Sequence, residues 1–322
     1  MDQKVFTEIF DSWSVARKNE KFWTEGLAKE HGYKTPEAMR SDFKRQRKSM
    51  GIESKEVVPE KIPERVKTNA KILCFDIETS PLCCLTWGLW DQNINTQAIL
   101  QDWHLISWSA KWLFSDEVIS DVLAADEARV HNDSRITKSI WKLLDEADIV
   151  VSHNGDKFDC KRLNTRFLYN GLPPVSHYLS VDTLIVAKNV FNFSSNKLDY
   201  INNYLGIPQK TETGFELWKN AYFGDPKSLK MMEDYNRNDC EILEDLFLKL
   251  RPFIKNFPNL NLWSEENVSV CPNCGSKDLN WNGKYYYTYT GRYKAFRCDN
   301  CSAIGRSREL DLSKEKRKTI VR

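Results

Sequence analysis

Asp76 and Glu78 stand two residues apart at the end of the run KILCFDIE. Side chains alternate across a strand, so both carboxylates project from one face, and two oxygen donors so placed invite a divalent cation. That spacing alone is weak, because Asp-x-Glu recurs at Asp239 and Glu241 and a solvated strand end accounts for it equally. A second grouping, His153-Asn-Gly-Asp-Lys-Phe-Asp159, begins where the apolar run DIVVS stops. A strand feeding a helix there puts Asn154 and Asp159 at the carboxyl edge of a sheet, where open α/β folds build their sites; the alternative is a turn followed by a carboxylate near a helix dipole. Tyr235 and Asp239 are four apart within MMEDYNRNDCEILEDLFLKL. One helix face then presents phenol and carboxylate together, while Ile242, Leu243 and Leu246 anchor the helix to a core. Tyr178 and Asp182 repeat the spacing, but in SHYLSVDTLIV, which reads as strand and turn. Tyr235 and Asp239 are therefore the favoured pair, with a surface pair on an amphipathic helix as the alternative.

The other chemical signal is a pair of C-x-x-C motifs, Cys271 with Cys274 and Cys298 with Cys301, 23 residues apart. Nine cysteines in a chain of 322 residues suit metal ligation better than a disulfide framework. Four thiolates in tetrahedral array suit one structural Zn2+, with no position left open for a substrate. The segment resembles a zinc ribbon, and a β-hairpin through WNGKYYYTYTGRYKAFR absorbs a spacer longer than the roughly 15–20 residues usual for such sites. Tyr285, Tyr286, Tyr287, Tyr289 and Tyr293 interleave there with Lys284, Arg292, Lys294 and Arg297. They either stack bases and pair with phosphates or form the core of their own hairpin.

These residues need elements to hold them. KILCFDIE, HLISWSAKWLF, EVISDVLAA and DIVVSHN read as strands, the last short and apolar enough for a central buried position. Helical periodicity falls at about residues 133–147, 157–170, 196–205 and 227–250. Strands alternating with helices give an α/β fold with a mixed central sheet covered by helices. Residues 1–51 read as a small helical domain of three helices. The first two are built on Val5, Phe6, Ile9 and Trp13, then Phe22, Trp23 and Leu27. The third is capped by Thr35, opened by Pro36 and followed by Gly51, and carries Arg40, Lys44, Arg45, Arg47 and Lys48. This unit is similar to a helix-turn-helix module whose basic helix enters a major groove, or else it presents a solvated face. Residues 52–70 read as a linker, 71–255 as the principal domain, 256–270 as a hinge and 271–322 as the cysteine domain with a basic tail.

Taken in order, the three carboxylate motifs resemble the DEDD superfamily of 3′-5′ exonucleases, the DnaQ-like branch of the ribonuclease H-like fold. Phe75-Asp76-Ile77-Glu78-Thr79 matches its first motif, Asn154 to Asp159 its second and Tyr235 to Asp239 its third. The tyrosine places the chain in the DEDDy group, similar to the proofreading domains of B-family DNA polymerases. Lys197 to Gly206 looks like the family's helix before the third motif. By this resemblance Asp76, Glu78, Asp159 and Asp239 hold two Mg2+ or Mn2+ ions, and the Tyr235 hydroxyl orients the attacking water. A phenol with an ordinary pKa near 10 is a poor base at neutral pH. Thr79, through its backbone, and Asn154 and Phe158 would meet the substrate, with core packing the alternative for Phe158. His153 is a phosphate neighbour or a structural histidine, and Asp182 a helix cap.

The charge distribution agrees with this chemistry. Residues 71–270 carry 20 basic and 28 acidic side chains, against 11 and 8 in residues 1–50 and 12 and 5 in residues 271–322. An acidic centre that binds cations, flanked by basic ends, can still attract a polyanion. The expected activity is hydrolysis of DNA from a free single-stranded 3′ end, with RNA hydrolysis or a non-catalytic DNA-binding regulator as alternatives, and with replication or repair proteins as possible partners. No window holds 18 apolar residues and MDQKVFTEIFDSW is no secretory leader, so a cytoplasmic protein without a membrane partner is expected.

Overall fold

The computed structural model describes residues 24–49, 66, 68–207, 213–265 and 267–321. The helix expected over Val5–Trp13, Gly51 and most of the linker 52–70 lie outside them. The chain divides into two compact units, Met1–Ile62 and Pro63–Arg322.

In the first unit, α1 (Glu25–Glu30) and α2 (Pro36–Ser49) are both capped by threonine. Thr24 Oγ1 accepts the Leu27 N–H and Thr35 Oγ1 the Ala38 N–H, each at 3.2 Å, which satisfies amide donors that a helix start leaves unpaired. Ala28, Met39 and Phe43 are buried. Arg40 and Arg45 lie on the exposed side of α2.

The second unit is built on a five-stranded mixed sheet. Its strands are β1 (Ile72–Thr79), β4 (Leu105–Trp112), β5 (Ile119–Val122), β6 (Ile149–Ser152) and β7 (Leu179–Asp182), after a small ribbon of β2 (Cys83–Cys84) and β3 (Ile99–Gln101). The order is β5-β4-β1-β6-β7, antiparallel at β1–β4 and β4–β5 and parallel at β1–β6 and β6–β7. The helices are α3 (Ala125–Arg129), α4 (Ser134–Glu146), α5 (Asp159–Tyr169), α6 (Thr183–Val190), α7 (Leu198–Leu205), α8 (Phe215–Tyr222) and α9 (Pro226–Leu250). The expected α/β sheet flanked by helices is therefore present.

Strand alternation divides the core in two. Leu73, Phe75 and Ile77 of β1 face Ile136, Ile140, Leu163 and Phe167 of α4 and α5. Ile72 and Cys74 face Cys240, Leu243 and Phe247 of α9, with Ile149 and Val151 of β6 beside them. Further along, Ile242, Leu246 and Leu250 bury the next row of α9 against Ala187 and Ile201 of α6 and α7. The same alternation puts Asp76 and Glu78 on the α9 side, beyond the reach of those anchors. Their cross-strand partners on β4 are Ser109 and Ser107, both buried and small enough for α9 to approach.

On the other face, Arg166 makes a bidentate pair with Asp133 at 2.5 and 2.6 Å, and Asp133 also accepts the Leu105 N–H at 2.9 Å. This buried pair ties α5 to the start of α4 and to the first residue of β4, and so fixes the helix that begins at Asp159. Segment Thr183–Val190 is a helix although the sequence reads as strand and turn. Asp182 Oδ1 caps it, accepting from Leu184 N at 2.9 Å and Ile185 N at 3.3 Å, and burial of Ala187 outweighs the modest helix propensity of its β-branched residues.

The cysteine region folds as a second sheet of β8 (Leu279–Asn280), β9 (Tyr285–Tyr287), β10 (Arg292–Cys298) and β11 (Ile304–Leu310), with β10 pairing the other three, and ends in α10 (Lys314–Lys318). The three tyrosines of β9 are exposed, whereas Ala295 and Phe296 are buried. Residues 256–270, read above as a hinge, send Phe257 and Leu260 into the core beneath α9.

Candidate active site

Asp76, Glu78 and Asp239 each place a carboxylate oxygen within 4.8 Å of the others. Oxygens so spaced can share one cation at ordinary bond lengths of about 2.0–2.6 Å, and the donor set is the hard one that Mg2+ and Mn2+ prefer. Asp159 approaches from α5, where its Oδ1 accepts the N–H of Ile77 at 3.3 Å, the residue between Asp76 and Glu78. The sheet thus brings the four carboxylates from three distant stretches of chain to one end of β1.

Asp76 and Glu78 are each oriented by a partner. Asn236 Nδ2 donates to Asp76 Oδ2 at 2.6 Å, and Trp218 Nε1 of α8 donates to Glu78 Oε2 at 3.0 Å. Asn236 is fully buried and held in turn, its carbonyl accepting the Ser109 hydroxyl at 2.6 Å. The Trp218 ring meets Tyr235 edge-on, centroids 5.9 Å apart, so the indole that holds Glu78 also packs against the phenol. Sequence reasoning missed both Asn236 and Trp218. The asparagine lies inside the third motif, and its i+3 relation to Asp239 was the available signal; Trp218 carries none in FELWKNAY.

Electrostatics follow from crowding. Burial, followed by the charges of Asp159, Glu78 and Asp239, raises the Asp76 carboxyl well above its ordinary value. Burial pushes Glu78 up to about 8 against the Trp218 hydrogen bond, and pushes Asp159 up to about 7 against its backbone N–H bonds. Burial, reinforced by Asp239 and Glu78, also raises the Tyr235 phenol, which therefore keeps its proton and acts as a hydrogen-bond donor.

The turn that delivers Asp159 is built from unusual backbone. Asn154 has φ +71°, a left-handed conformation that asparagine tolerates better than most residues. At Gly155 a Cβ would come within 2.0 Å of Ser152 Oγ, so only glycine fits. Asp182 pins this turn, accepting from Asn154 N at 2.9 Å and Asp156 N at 3.4 Å; it is both cap and clamp. His153 is structural, bonded to Thr183 Oγ1 at 2.9 Å and to the Asn196 carbonyl at 3.0 Å. Asn154 lines an open groove of about 530 Å3 with His153, Leu184, Lys188 and Asn196. Phe158 is 36% exposed rather than core, and Thr79 Oγ1 accepts from Arg162 at 3.1 Å. A register shift between Glu78 and Thr79 turns Thr79 out of the regular pleat.

At the far end of α9 the four cysteine thiols are buried, free of disulfides and clustered within the same 4.8 Å limit. Cys271 and Cys301 Sγ atoms lie 3.6 Å apart, as do Cys274 and Cys298. A disulfide needs about 2.05 Å, whereas tetrahedral bonds of about 2.3 Å to one metal set sulfurs slightly under 4 Å apart. Both C-x-x-C turns close with backbone bonds, Gly275 N to Cys271 O at 2.8 Å and Ser302 N to Cys298 O at 2.9 Å. Arg251 is 3% exposed, and its Nε and Nη2 lack hydrogen-bond partners. Burial lowers its pKa, and the charges of Cys274, Cys301 and Cys271 oppose that effect. A buried guanidinium beside four thiols fits a site that carries negative charge, as thiolates around a divalent ion do. Both clusters are thus compatible with metals.

Fold and site together define a ribonuclease H-like α/β domain with an acidic centre at the end of its first strand. Residues 73–251 match the RNase H superfamily, and the chain belongs to that superfamily. It is 26% identical over 221 residues to a PolC-type DNA polymerase III of Ureaplasma parvum serovar 3, a match covering 62% of this chain and 15% of that one. The family B DNA polymerase structure from Pyrobaculum calidifontis aligns with a TM-score of 0.44 at 18% identity, over 70% of this chain and 32% of the other. The chain therefore spans only a small part of the length of the relatives it matches.

Carboxyls that keep protons on folding bind more protons folded than unfolded, so their contribution to stability falls as pH rises from the unfolded values of about 4 to the folded ones. In divalent-free buffer the protein is expected to lose stability between pH 5 and the value of about 8 held by Glu78, and to recover it on addition of Mg2+ or Mn2+. Asp76→Asn removes one of the repelling charges and should raise the melting temperature at pH 8 by a few degrees, with no gain at pH 5. Thermal denaturation at both pH values checks this; a wild-type midpoint that is flat across the range contradicts it.

Proposed function

We propose that this chain is a metal-dependent 3′-5′ exonuclease of the DEDDy type that acts on DNA with a free single-stranded 3′ end. The convergence of Asp76, Glu78 and Asp239 oxygens within 4.8 Å, with Asp159 and Tyr235 at the margin, carries this reading. Membership of the RNase H superfamily and similarity to a PolC-type DNA polymerase support a nuclease that meets DNA.

Asp76, Glu78, Asp159 and Asp239 would hold two divalent ions. When bound, such ions supply a nucleophilic water near neutral pH and neutralise charge on the leaving oxygen. Tyr235 keeps its proton and directs a hydrogen bond at the attacking water. Asn236 and Trp218 hold Asp76 and Glu78 in their ligating orientations, as the outer partners of metal-binding carboxylates do. The products would be nucleoside 5′-monophosphates and a chain shortened from its 3′ end. The basic side chains of residues 1–51 and of the C-terminal tail supply attraction for the polyanion.

The cysteine region is a zinc ribbon with one structural Zn2+ on Cys271, Cys274, Cys298 and Cys301. A tail of about 50 residues has too little core to fold without such a staple.

Labelled DNA and RNA strands incubated with Mg2+ test the activity. A 5′-labelled DNA strand should shorten in single-nucleotide steps. Asp76→Ala should slow this by at least about 1,000-fold, and Tyr235→Phe by about 10- to 100-fold through loss of water positioning. Cleavage that Asp76→Ala leaves unchanged, or binding without cleavage in Mg2+ and Mn2+, defeats the proposal. For the tail, elemental analysis should find about one zinc per chain, lost in Cys271→Ser with Cys298→Ser. Wild-type protein free of metal contradicts the ribbon.

A further inference from the structure

Arg162 lies one helical turn after Asp159 on α5, on the same face. Its guanidinium carbon is 4.3 Å from the Trp103 ring centroid and 4.5 Å from that of Phe158. One of its terminal nitrogens donates to Thr79 Oγ1 at 3.1 Å. Thr79 follows Glu78 and Phe158 precedes Asp159, so both contacts belong to neighbours of carboxylates in the acidic centre. Trp103 and Arg162 are half-buried and Phe158 is open to solvent on one side. Among the described residues the guanidinium enters no ion pair: Asp102 and Asp159 act on it only through their charge.

Such a group has little freedom, held by two aromatic rings and the Thr79 hydroxyl. The N–H donors that Thr79 does not use suit the oxygens of a phosphate, which a guanidinium matches as a fork. Side-chain entropy, the usual cost of fixing an arginine on a ligand, is already spent on the aromatic contacts and the Thr79 bond. The rim of a pocket holding four carboxylates is also where a polyanion needs a fixed positive charge. The three remaining aromatic and hydroxyl groups of this cluster bind the arginine rather than the substrate.

We propose that Arg162, fixed by Trp103, Phe158 and Thr79, binds a backbone phosphate of the nucleic-acid strand next to the cleavage site and sets its register against the acidic centre. The inference deepens the exonuclease reading and rests on it for the class of ligand. It recasts Thr79 and Phe158 as residues that act on substrate through Arg162.

The test is binding, so that it does not depend on turnover. The probe is a 5′-fluorescein single-stranded dT oligonucleotide titrated with full-length protein in Ca2+, read by anisotropy at several salt concentrations. Arg162→Gln keeps a planar amide for the rings and a donor for Thr79 but loses the charge. It should weaken binding about 10-fold or more and lower the slope of log affinity against log salt by about 0.7, one phosphate contact on a single strand. Arg162→Lys should keep the slope and regain only part of the affinity, because an ammonium lacks the fork. If Arg162→Gln binds with wild-type affinity and slope, if affinity falls at every salt with the slope unchanged, or if wild-type protein does not bind the probe at low salt, the proposal is overturned. Wild-type binding without hydrolysis in Mg2+ would sink the exonuclease reading alone.

Discussion

Like charges held together are the constraint on which this molecule turns. Four carboxylates meet at the end of one strand, and burial there drives Asp76, Glu78 and Asp159 toward their neutral forms. Nothing in a hydrophobic core favours such a meeting. It is imposed by the surrounding elements and would become favourable with a cation bound, since such an ion inverts the local electrostatics. Asn236, Trp218 and the Ile77 amide offset part of the repulsion and set the directions in which the oxygens point.

Helix α9 is the chief source of that imposition. Its C-terminal half buries Leu243, Leu246 and Phe247, each contributing about 1.5–3 kcal/mol, which is ample to hold its N-terminal half over Asp76 and Glu78. Tyr235 and Asn236 occupy that half and Asp239 follows at the middle of the helix, where the helical repeat keeps them in line with Cys240 and Leu243. Lys111 of β4 pairs with Glu244 one turn beyond Cys240, a polar tie to the sheet set among these anchors. At its far end the helix runs into Arg251, whose carbonyl accepts from Asn273 Nδ2 at 2.8 Å. One element therefore joins the acidic centre to the cysteine cluster.

Much of this was legible in the sequence. Strands KILCFDIE and DIVVSHN, and helices near 134–146, 159–169 and 226–250, follow from apolar periodicity because each packs one continuous face. The pairs Asp76–Glu78 and Tyr235–Asp239 were readable for the same reason: period two and period four fix which side chains share a side. What was hidden depends on contacts across long stretches of chain. Trp218 reaches Glu78 over 140 residues, and no local pattern encodes that. Arg162 becomes visible only once β1 and the segment around Trp103 are in place. Helix α6 was obscured by Ile185 and Val186, whose β-branched side chains read as strand even though Asp182 reads as a helix cap. The tyrosines of β9 left two readings open, and the sheet places them outward, with Arg292 4.5 Å above the Tyr285 ring.

Calorimetric titration with Mn2+ at pH 7, repeated in two buffers of different ionisation enthalpy, measures whether Asp76, Glu78, Asp159 and Asp239 form one cation-binding centre. Binding should be accompanied by proton release, because the carboxyls must surrender protons to become ligands, with both heat and release diminished in Asp239→Asn. Absence of Mn2+ binding at millimolar concentration, or binding that Asp239→Asn leaves unaltered, would contradict it.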